Sequence, residues 1–181
     1  AILSGYKKVR EAAGREGPFR IRVSDSQTLF AAQGVLAAET VRLINAGTKI
    51  GDIRQRISDL TPKTTGYAVV PDLYYVHKRA RKKGDKSVGF VGALMGSALD
   101  IKPILCARRD QTFPVAKVRG FESAVEKMFA HACQCVEDGL LTPIVCVSYA
   151  GDPDAAFQMP GFNALKAATE KHDVQLLVSH M

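Results

Sequence analysis

The stretch that decides the fold runs from Ile101 to Lys127 and reads IKPILCARRDQTFPVAKVRGFESAVEK. Two short apolar segments flank a polar turn, which predicts a buried strand, a turn and a second short strand. The basic step Lys117-Val118-Arg119-Gly120 then leads into a segment with the apolar spacing of an amphipathic helix. Since Lys117 and Arg119 flank a valine, we expect both side chains on one side of an extended segment.

Outward from this stretch, predicted strands and helices alternate along the chain. This alternation favours an α/β fold with largely parallel sheets. Thr61-Pro62 is the candidate boundary between two α/β domains, residues 1–60 and residues 61–181. Further helices are expected at residues 5–13, Gln27–Ala38, Ile50–Leu60, Leu73–Lys83 and Val88–Leu99, with a last helix that ends near His172. Further strands are expected at Phe19–Val23, Tyr67–Val70, Ile144–Val147 and Val174–Val178, and Ala1–Leu3 has the pattern of a strand tail.

Two hydroxyl-rich segments follow predicted strands. Ser24-Asp25-Ser26 comes after Phe19–Val23, and Ser4-Gly5 comes after the strand tail at the start of the chain. Hydroxyl and backbone N–H groups at the start of a helix cap that helix, and they also bind carboxylates or phosphates. The carboxyl ends of parallel strands are where α/β sheets present ligand crevices. Helix capping and anion binding therefore both remain open for these segments.

The charge balance suits an acidic partner. The chain of 181 residues has a formal net charge of +7, which suits nucleic acid, an anionic membrane surface or an anionic ligand. An excess of Lys and Arg is also common on ordinary soluble proteins, and charge alone favours that interpretation. The densest basic run, His77–Lys83, is interpreted as a solvated helix end, with an acidic partner or nucleic acid as alternatives. Without Trp, and with 7% aromatic residues, stacking platforms for single-stranded nucleic acid are scarce. No apolar run is long enough to span a bilayer, so stable membrane insertion is not expected.

The cysteine and histidine patterns do not indicate a catalytic or metal site. Cys133 and Cys135 are two residues apart on a predicted helix, and no Cys/His ligand spacing is present. We expect reduced thiols and a cytoplasmic location. No histidine lies in a recognisable nucleophile motif. The sequence therefore predicts no cofactor, no metal and no catalytic residue.

Four segments together resemble the DegV family of bacterial fatty-acid-binding proteins. Ser4-Gly5-Tyr6 is similar to the start of a helix in the family, and Val23–Ser26 is similar to its strand-end Val-Asp-Ser. The segments Gly96–Leu105 and Lys117–Gly120 are more specific matches. The family's Thr-Ser-Gln-Pro-Ser motif would precede Ala1 and its His-x-Gly-Pro-Gly motif would follow Met181, so we expect a chain truncated at both ends.

The resemblance implies two α/β domains with mainly parallel sheets, of which the N-terminal lipid-binding domain is incomplete. It implies one long-chain fatty acid with its carboxylate held by hydroxyl groups, and delivery of that acid to a separate fatty acid kinase that makes acyl phosphate. The resemblance implies ligand binding by Ser4, Gly5, Ser24, Ser26 and Arg119. It also implies that Lys86 and Lys117 face a phosphate or the partner protein.

These observations lead to one principal hypothesis and two rivals. The principal hypothesis is a non-catalytic fatty-acid carrier with an elongated apolar cavity near the helices Gln27–Ala38 and Val88–Leu99. One rival is an acyl- or phosphoryl-transferase subunit on the same fold, which would turn over without a kinase partner. The other is a basic nucleic-acid-binding protein, whose binding would fall with salt.

Overall fold

The chain forms both helices and strands in the computed structural model, which describes residues 2–14, 23–72, 74, 78 and 100–180. The prediction of an α/β fold is therefore confirmed. The elements lie, in chain order, at α1 (Ile2–Ala12), α2 (Ala31–Asn45), α3 (Ile50–Leu60), a 3₁₀ turn (Thr61–Lys63), β1 (Gly66–Val69), β2 (Ile101–Arg108), β3 (Gln111–Arg119), α4 (Phe121–Asp138), β4 (Ile144–Tyr149), α5 (Pro153–Phe157), α6 (Phe162–Lys171) and β5 (Gln175–His180).

The first sheet is antiparallel, with the described strands in the order β1-β2-β3. The expectation of a mainly parallel sheet in each part of the chain is wrong for this sheet. The reason is local: Arg109 and Asp110 have φ angles of 51° and 60°, and they join Arg108 directly to its partner Gln111. Two central residues with positive φ form the tight turn that antiparallel hairpins prefer.

The second sheet pairs β4 with β5 in parallel. α5 and α6 lie between the two strands in sequence and provide the crossover that a parallel pair requires. The strands predicted at Ile144–Val147 and Val174–Val178 are confirmed, with shifts of one or two residues at their ends. Because the strands run the same way, Tyr149 and His180 lie opposite each other at the carboxyl edge of this sheet.

The two N-terminal helices differ from their predicted limits. Helical hydrogen bonding begins at Ile2 in α1, so the strand tail predicted at Ala1–Leu3 is wrong for Ile2 and Leu3. α2 begins at Ala31 rather than Gln27, because Gln27 and Phe30 have positive φ angles that a helix cannot include. Asp25 accepts a hydrogen bond from the backbone N–H of Gln27 at 3.0 Å and so forms a turn ahead of the helix.

The ends of α2 and α3 are mostly as predicted. Gly47, at φ 71°, follows α2, and its N–H donates to the carbonyl oxygen of Ile44 while the N–H of Thr48 donates to that of Leu43. This pair of bonds is a Schellman ending, for which glycine is the favoured residue. α3 has the predicted bounds, but its first residue, Ile50, is exposed rather than part of the buried face.

Several predictions lie outside the described residues. They are the helix at Val88–Leu99, nearly all of the helix at Leu73–Lys83, the strand at Phe19–Val23 apart from its last residue, and the position of Lys86. The domain boundary at Thr61-Pro62 stays a prediction.

The main apolar core lies between α4, α6 and one face of the β4-β5 sheet. Val125, Phe129 and Val136 of α4 pack against Phe162 and Leu165 of α6. The rings of Phe129 and Phe162 meet edge to face with centroids 6.0 Å apart, an arrangement that aromatic pairs favour. The helix stripe predicted from the sequence of α4 is therefore confirmed as a core-forming face.

A buried carboxylate joins α2, α3 and the entry to β4. Glu39 has no exposed surface. Its oxygens accept hydrogen bonds from Arg42 at 2.6 and 3.0 Å and from the Thr142 hydroxyl at 2.7 Å, and Arg56 of α3 lies 3.6 Å away. Arg56 also donates to the carbonyl oxygen of Leu141. The Arg42 hydrogen bonds, helped by Thr142 and the two guanidinium charges, lower the pKa of the Glu39 carboxyl despite its burial.

We predict that Glu39→Gln lowers the free energy of unfolding by about 1–3 kcal/mol at pH 7, because charged hydrogen bonds are lost in a buried position. Because the pKa of Glu39 is lower in the folded protein, the carboxylate contributes its full stabilisation at a pH above its pKa in the unfolded chain, about 4.3. That stabilisation is lost as the pH falls through the pKa in the folded protein. Urea unfolding at pH 7 and pH 3.5 should therefore show the difference from the unmodified protein shrinking at the lower pH.

The matched control is Glu137→Gln, which removes an exposed carboxylate from α4. It should change the stability by less than about 0.5 kcal/mol at either pH. An equal loss from both substitutions at pH 7 would contradict a special role for Glu39.

Candidate functional site

A cavity with a volume of about 720 Å³ lies between α2, β1, α4 and β4. This volume is in the range of small-molecule binding sites. Most of the side chains that line it are apolar. They include Phe30, Val35, Leu60, Val69, Phe121, Val125, Met128, Phe129, Ala132, Leu140, Ile144, Val147, Met159 and Leu165.

The cavity is elongated because it follows the whole length of α4. Its lining includes residues of α4 from Phe121 to Asp138, at spacings of three or four that keep them on one helix face. Seventeen steps at 1.5 Å each make this face about 25 Å long. For comparison, one leaflet of the hydrocarbon core of a bilayer, which is one acyl chain deep, is about 15 Å thick. The cavity is therefore long enough for an extended long alkyl chain.

Small residues on the other walls leave the space open. Ala31, Ala32 and Ala68 line the cavity together with Gly66. At Gly66 an added Cβ would lie 3.2 Å from the Cβ of Ala32, so β1 approaches the start of α2 closely only because it has no side chain there.

Two groups of polar residues line the cavity. Lys63, Thr64 and Thr65 line it next to β1, and Ser148 and Tyr149 line it at the carboxyl end of β4. The Ser148 hydroxyl lies 2.7 Å from the hydroxyl of Ser179 on the paired strand. Hydroxyl groups at the carboxyl edge of parallel strands are placed to bind a polar head group.

A tyrosine, a histidine and a cysteine meet at one side of the cavity. Nε2 of His131 lies 3.1 Å from the Tyr67 hydroxyl and 3.7 Å from Sγ of Cys135. The Tyr67 and His131 rings meet edge to face with centroids 5.0 Å apart. Tyr67 and Cys135 line the cavity, whereas His131 is exposed behind them.

All four cysteines are free thiols, and burial raises the pKa of each one. The pKa of Cys146, which lines the cavity beside α2, rises to about 11. The charge of Asp138 raises the pKa of Cys135 further. Since the thiolate is the reactive form, these thiols are weak nucleophiles at neutral pH unless a base assists them.

The residues predicted from the sequence lie apart from the cavity lining. Ser4 and Gly5 are exposed within α1 rather than at its start. Ser24 is exposed ahead of α2, and the Ser26 hydroxyl donates to the carbonyl oxygen of Thr28 at 3.3 Å. Binding roles for these four residues stay predictions.

Lys117 and Arg119 are exposed on the same face of β3, as the alternation predicted. Arg119 is two residues from Phe121, which lines the cavity, so it lies at the same end as the start of α4. Neither cation is among the lining residues.

Sequence reasoning missed the polar groups at the carboxyl end of β4. Ser148 and Tyr149 follow the apolar run Ile144–Val147, so the strand-end argument used for Ser24 applies to them equally. No comparable signal marks Tyr67 and His131, which are 64 positions apart and meet only because β1 packs on α4.

The described residues lack two kinds of feature. No group of three or more His, Cys, Asp or Glu side chains there is arranged to hold a metal ion. In the same ranges, no helix combines the length and apolar character needed to cross a membrane.

Comparisons with solved structures match this arrangement of elements. The fatty acid binding protein DegV from Bacillus subtilis superposes with a TM-score of 0.62 at 22% identity, over 97% of this chain and 58% of that one. A stearic-acid-binding protein from Eubacterium ventriosum superposes with a TM-score of 0.65 at 18% identity, over 96% of this chain and 55% of that one. At these identities the likeness establishes the fold.

Sequence comparisons identify the family. A DegV domain-containing protein of Xanthomonas axonopodis pv. citri is 49% identical over 181 residues, which are 100% of this chain and 58% of the relative. Another, from Xanthomonas campestris pv. campestris, is 50% identical over the same shares. The chain thus spans less than two thirds of the length of these relatives. The model of the DegV family of uncharacterised proteins matches residues 2–178, and the chain therefore belongs to the DegV family.

Proposed function

We propose that the protein binds one long-chain fatty acid, with its alkyl chain along α4 in the 720 Å³ cavity. The observation that carries this proposal is the continuous apolar face of α4, about 25 Å long, opposite small residues of α2 and β1. Burial is worth about 0.8 kcal/mol per methylene, or roughly 11 kcal/mol for a sixteen-carbon acid before the costs of association.

The family comparisons support the same ligand class. Relatives of this fold include the Bacillus subtilis fatty acid binding protein and a Ruminococcus gnavus protein refined with vaccenic acid. The Eubacterium ventriosum protein is described as binding stearic acid. The cavity of the present chain is apolar and elongated, which is the shape that such ligands need.

We place the carboxylate at the carboxyl end of β4. Ser148 and Tyr149 supply hydroxyl groups there, and Arg119, two residues before Phe121 of the lining, is a candidate cation. Ser4, Gly5, Ser24 and Ser26 remain candidates for the head group from the family resemblance alone. At this end a carboxylate would be accessible to a second protein, as delivery to a kinase requires.

We further propose that the protein is a carrier and not itself an enzyme. It presents the acid to a fatty acid kinase, which makes the acyl phosphate, and Lys117, Arg119 and Lys86 face the phosphate or the kinase. The four free cysteines favour a location in a reducing cytoplasm. Mass spectrometry of an organic extract of the purified full-length protein tests the binding step directly. One fatty acid per chain is expected, and a lipid-free protein that takes up no palmitate would contradict it.

We predict that Ala132→Phe weakens palmitate binding by about tenfold or more. The new ring would occupy space that at least two methylenes fill, and each is worth about 0.8 kcal/mol. Isothermal titration calorimetry with palmitate measures the change. Ala130→Phe is the matched control, because Ala130 is exposed on the same helix and does not line the cavity.

Ala132 also touches the core, so the thermal midpoint of each variant must be compared. Val35→Phe narrows the cavity from the opposite wall and should weaken binding in the same way. Unchanged palmitate affinity in both folded variants would place the ligand elsewhere.

We predict that Arg119→Ala leaves palmitate affinity within about twofold, since chain burial supplies most of the binding energy. The rate of phosphorylation of the bound acid should fall by about tenfold, because a charged hydrogen bond to phosphate is worth about 1.5–3 kcal/mol. The control is Lys127→Ala, which removes an exposed cation from α4. Equal phosphorylation rates for the two variants would show that Arg119 has no special role in phosphorylation and is an ordinary exposed cation.

A further inference from the structure

Cys135 differs from the other three cysteines in what surrounds it. Cys135 lines the cavity, and its Sγ lies 3.7 Å from Nε2 of His131. Cys146 lines the same cavity, but within the described part of the chain its thiol has no imidazole partner. Cys106 and Cys133 do not line the cavity at all. Cys135 alone therefore combines access to a bound alkyl chain with a neighbouring base.

The spacing of the pair on α4 makes the contact a stable feature. Residues four apart on a helix lie on the same face, so His131 and Cys135 are neighbours without any long-range packing. Tyr67 then fixes the imidazole from β1 through its 3.1 Å hydrogen bond and the ring contact. When the imidazole carries its proton on Nδ1, the single lone pair of Nε2 accepts a hydrogen bond either from the tyrosine O–H or from the thiol S–H.

A thiol in this setting needs the base in order to react. Burial and the charge of Asp138 both raise the pKa of Cys135, so the free thiolate is scarce at neutral pH. Proton transfer to Nε2 of His131 during attack removes that limit, which is the usual way in which a weak nucleophile is activated.

We propose that Cys135, with His131 as its base, is a covalent capture site for long-chain α,β-unsaturated aldehydes. This proposal rests on the proposed function only in that the same cavity binds the alkyl chain. An aldehyde fits because it is an uncharged electrophile, and a thiol is the natural nucleophile for its polarised double bond. The alkyl chain would lie along α4 and bring the double bond to Sγ.

The addition balances without any other reactant. Sγ forms a bond to the β-carbon as the carbon–carbon π bond breaks, and the electron pair moves through the α-carbon to the carbonyl oxygen. The thiol proton passes to Nε2 of His131 and then to the α-carbon. The product is a saturated aldehyde joined to Cys135 through a thioether.

The test uses the purified full-length protein and trans-2-hexadecenal as the probe. Intact mass spectrometry should show one aldehyde added per chain, and peptide mapping should place it on Cys135. Excess palmitate should slow the reaction by occupying the cavity. The short analogue trans-2-butenal should react about tenfold or more slowly at the same concentration, because it lacks the chain that the cavity binds.

Substitutions separate the roles of the residues. Cys135→Ser should abolish the adduct, whereas the matched change Cys133→Ser should leave its rate unchanged. His131→Gln should slow addition by about tenfold or more while palmitate affinity stays the same, since a general base contributes to the rate and not to chain binding. His131 is exposed, and palmitate affinity also reports that the variant is folded.

The outcomes are distinguishable from those that test fatty-acid binding. Palmitate binding without any adduct on Cys135 would overturn the capture site and leave the carrier function intact. Equal labelling of Cys133 or Cys146, or a rate unaffected by His131→Gln, would also overturn it. Chain-length-dependent labelling of Cys135 in a protein that does not bind palmitate would retain the capture site and contradict the carrier function.

Discussion

The packing of α2 and α3 against the entry to β4 depends on one buried carboxylate. The carboxylate oxygens of Glu39 accept hydrogen bonds from Arg42 on its own helix and from Thr142 at the entry to β4. Arg56 of α3 forms an ion pair with the same carboxylate. An ionised group with no exposed surface is costly unless it is fully paired, so these contacts must form together. They hold α2 against β4, and α2 and β4 are two of the four walls of the cavity.

The apolar face of α4 packs against α6 in the core and also forms one wall of the cavity. Phe129 and Val125 contribute both to the core with α6 and to the cavity wall, while Met128 and Ala132 extend the wall along the helix. On the opposite side, the small side chains of Ala31, Ala32 and Ala68 leave space that larger side chains would fill. An open apolar space of this size costs stability unless a ligand occupies it. An alkyl chain of the kind proposed would offset this cost by filling the space.

Side chains with reactive or polar groups also lie at this mainly apolar wall. Cys135 and Tyr67 face the cavity from two different elements, and His131 lies within reach of both. A carrier that encloses reactive lipids would expose them to this thiol, whereas a saturated acid would pass it unchanged. Binding and covalent capture are thus compatible in a single cavity, because they use different parts of the ligand.

Patterns with short-range physical causes could be predicted from the sequence. The periodicity of α4, the continuous apolar runs of β4 and β5, the bounds of α3 and the glycine that ends α2 all depend on residues within a few positions of one another. The alternation that puts Lys117 and Arg119 on one face is equally local. The family resemblance extended this reading to the fold class, which the comparisons then supported.

What only the tertiary structure decided involves contacts between distant positions. The sequence did not indicate that β1 pairs antiparallel with β2, since this pairing joins positions as distant as Gly66 and Ala107, whereas the β2-β3 pairing follows from the local turn at Arg109 and Asp110. It did not separate Gln27 from the start of α2, because positive φ angles at Gln27 and Phe30 accompany hydrogen bonds to the hairpin, from Asp110 N–H to Gln27 and from Thr28 to Ala107. The hydroxyl groups predicted from strand ends lie away from the cavity, while those of Ser148 and Tyr149 line it. A local pattern determines which way a side chain points from its own element, but a cavity is formed by elements that only packing brings together.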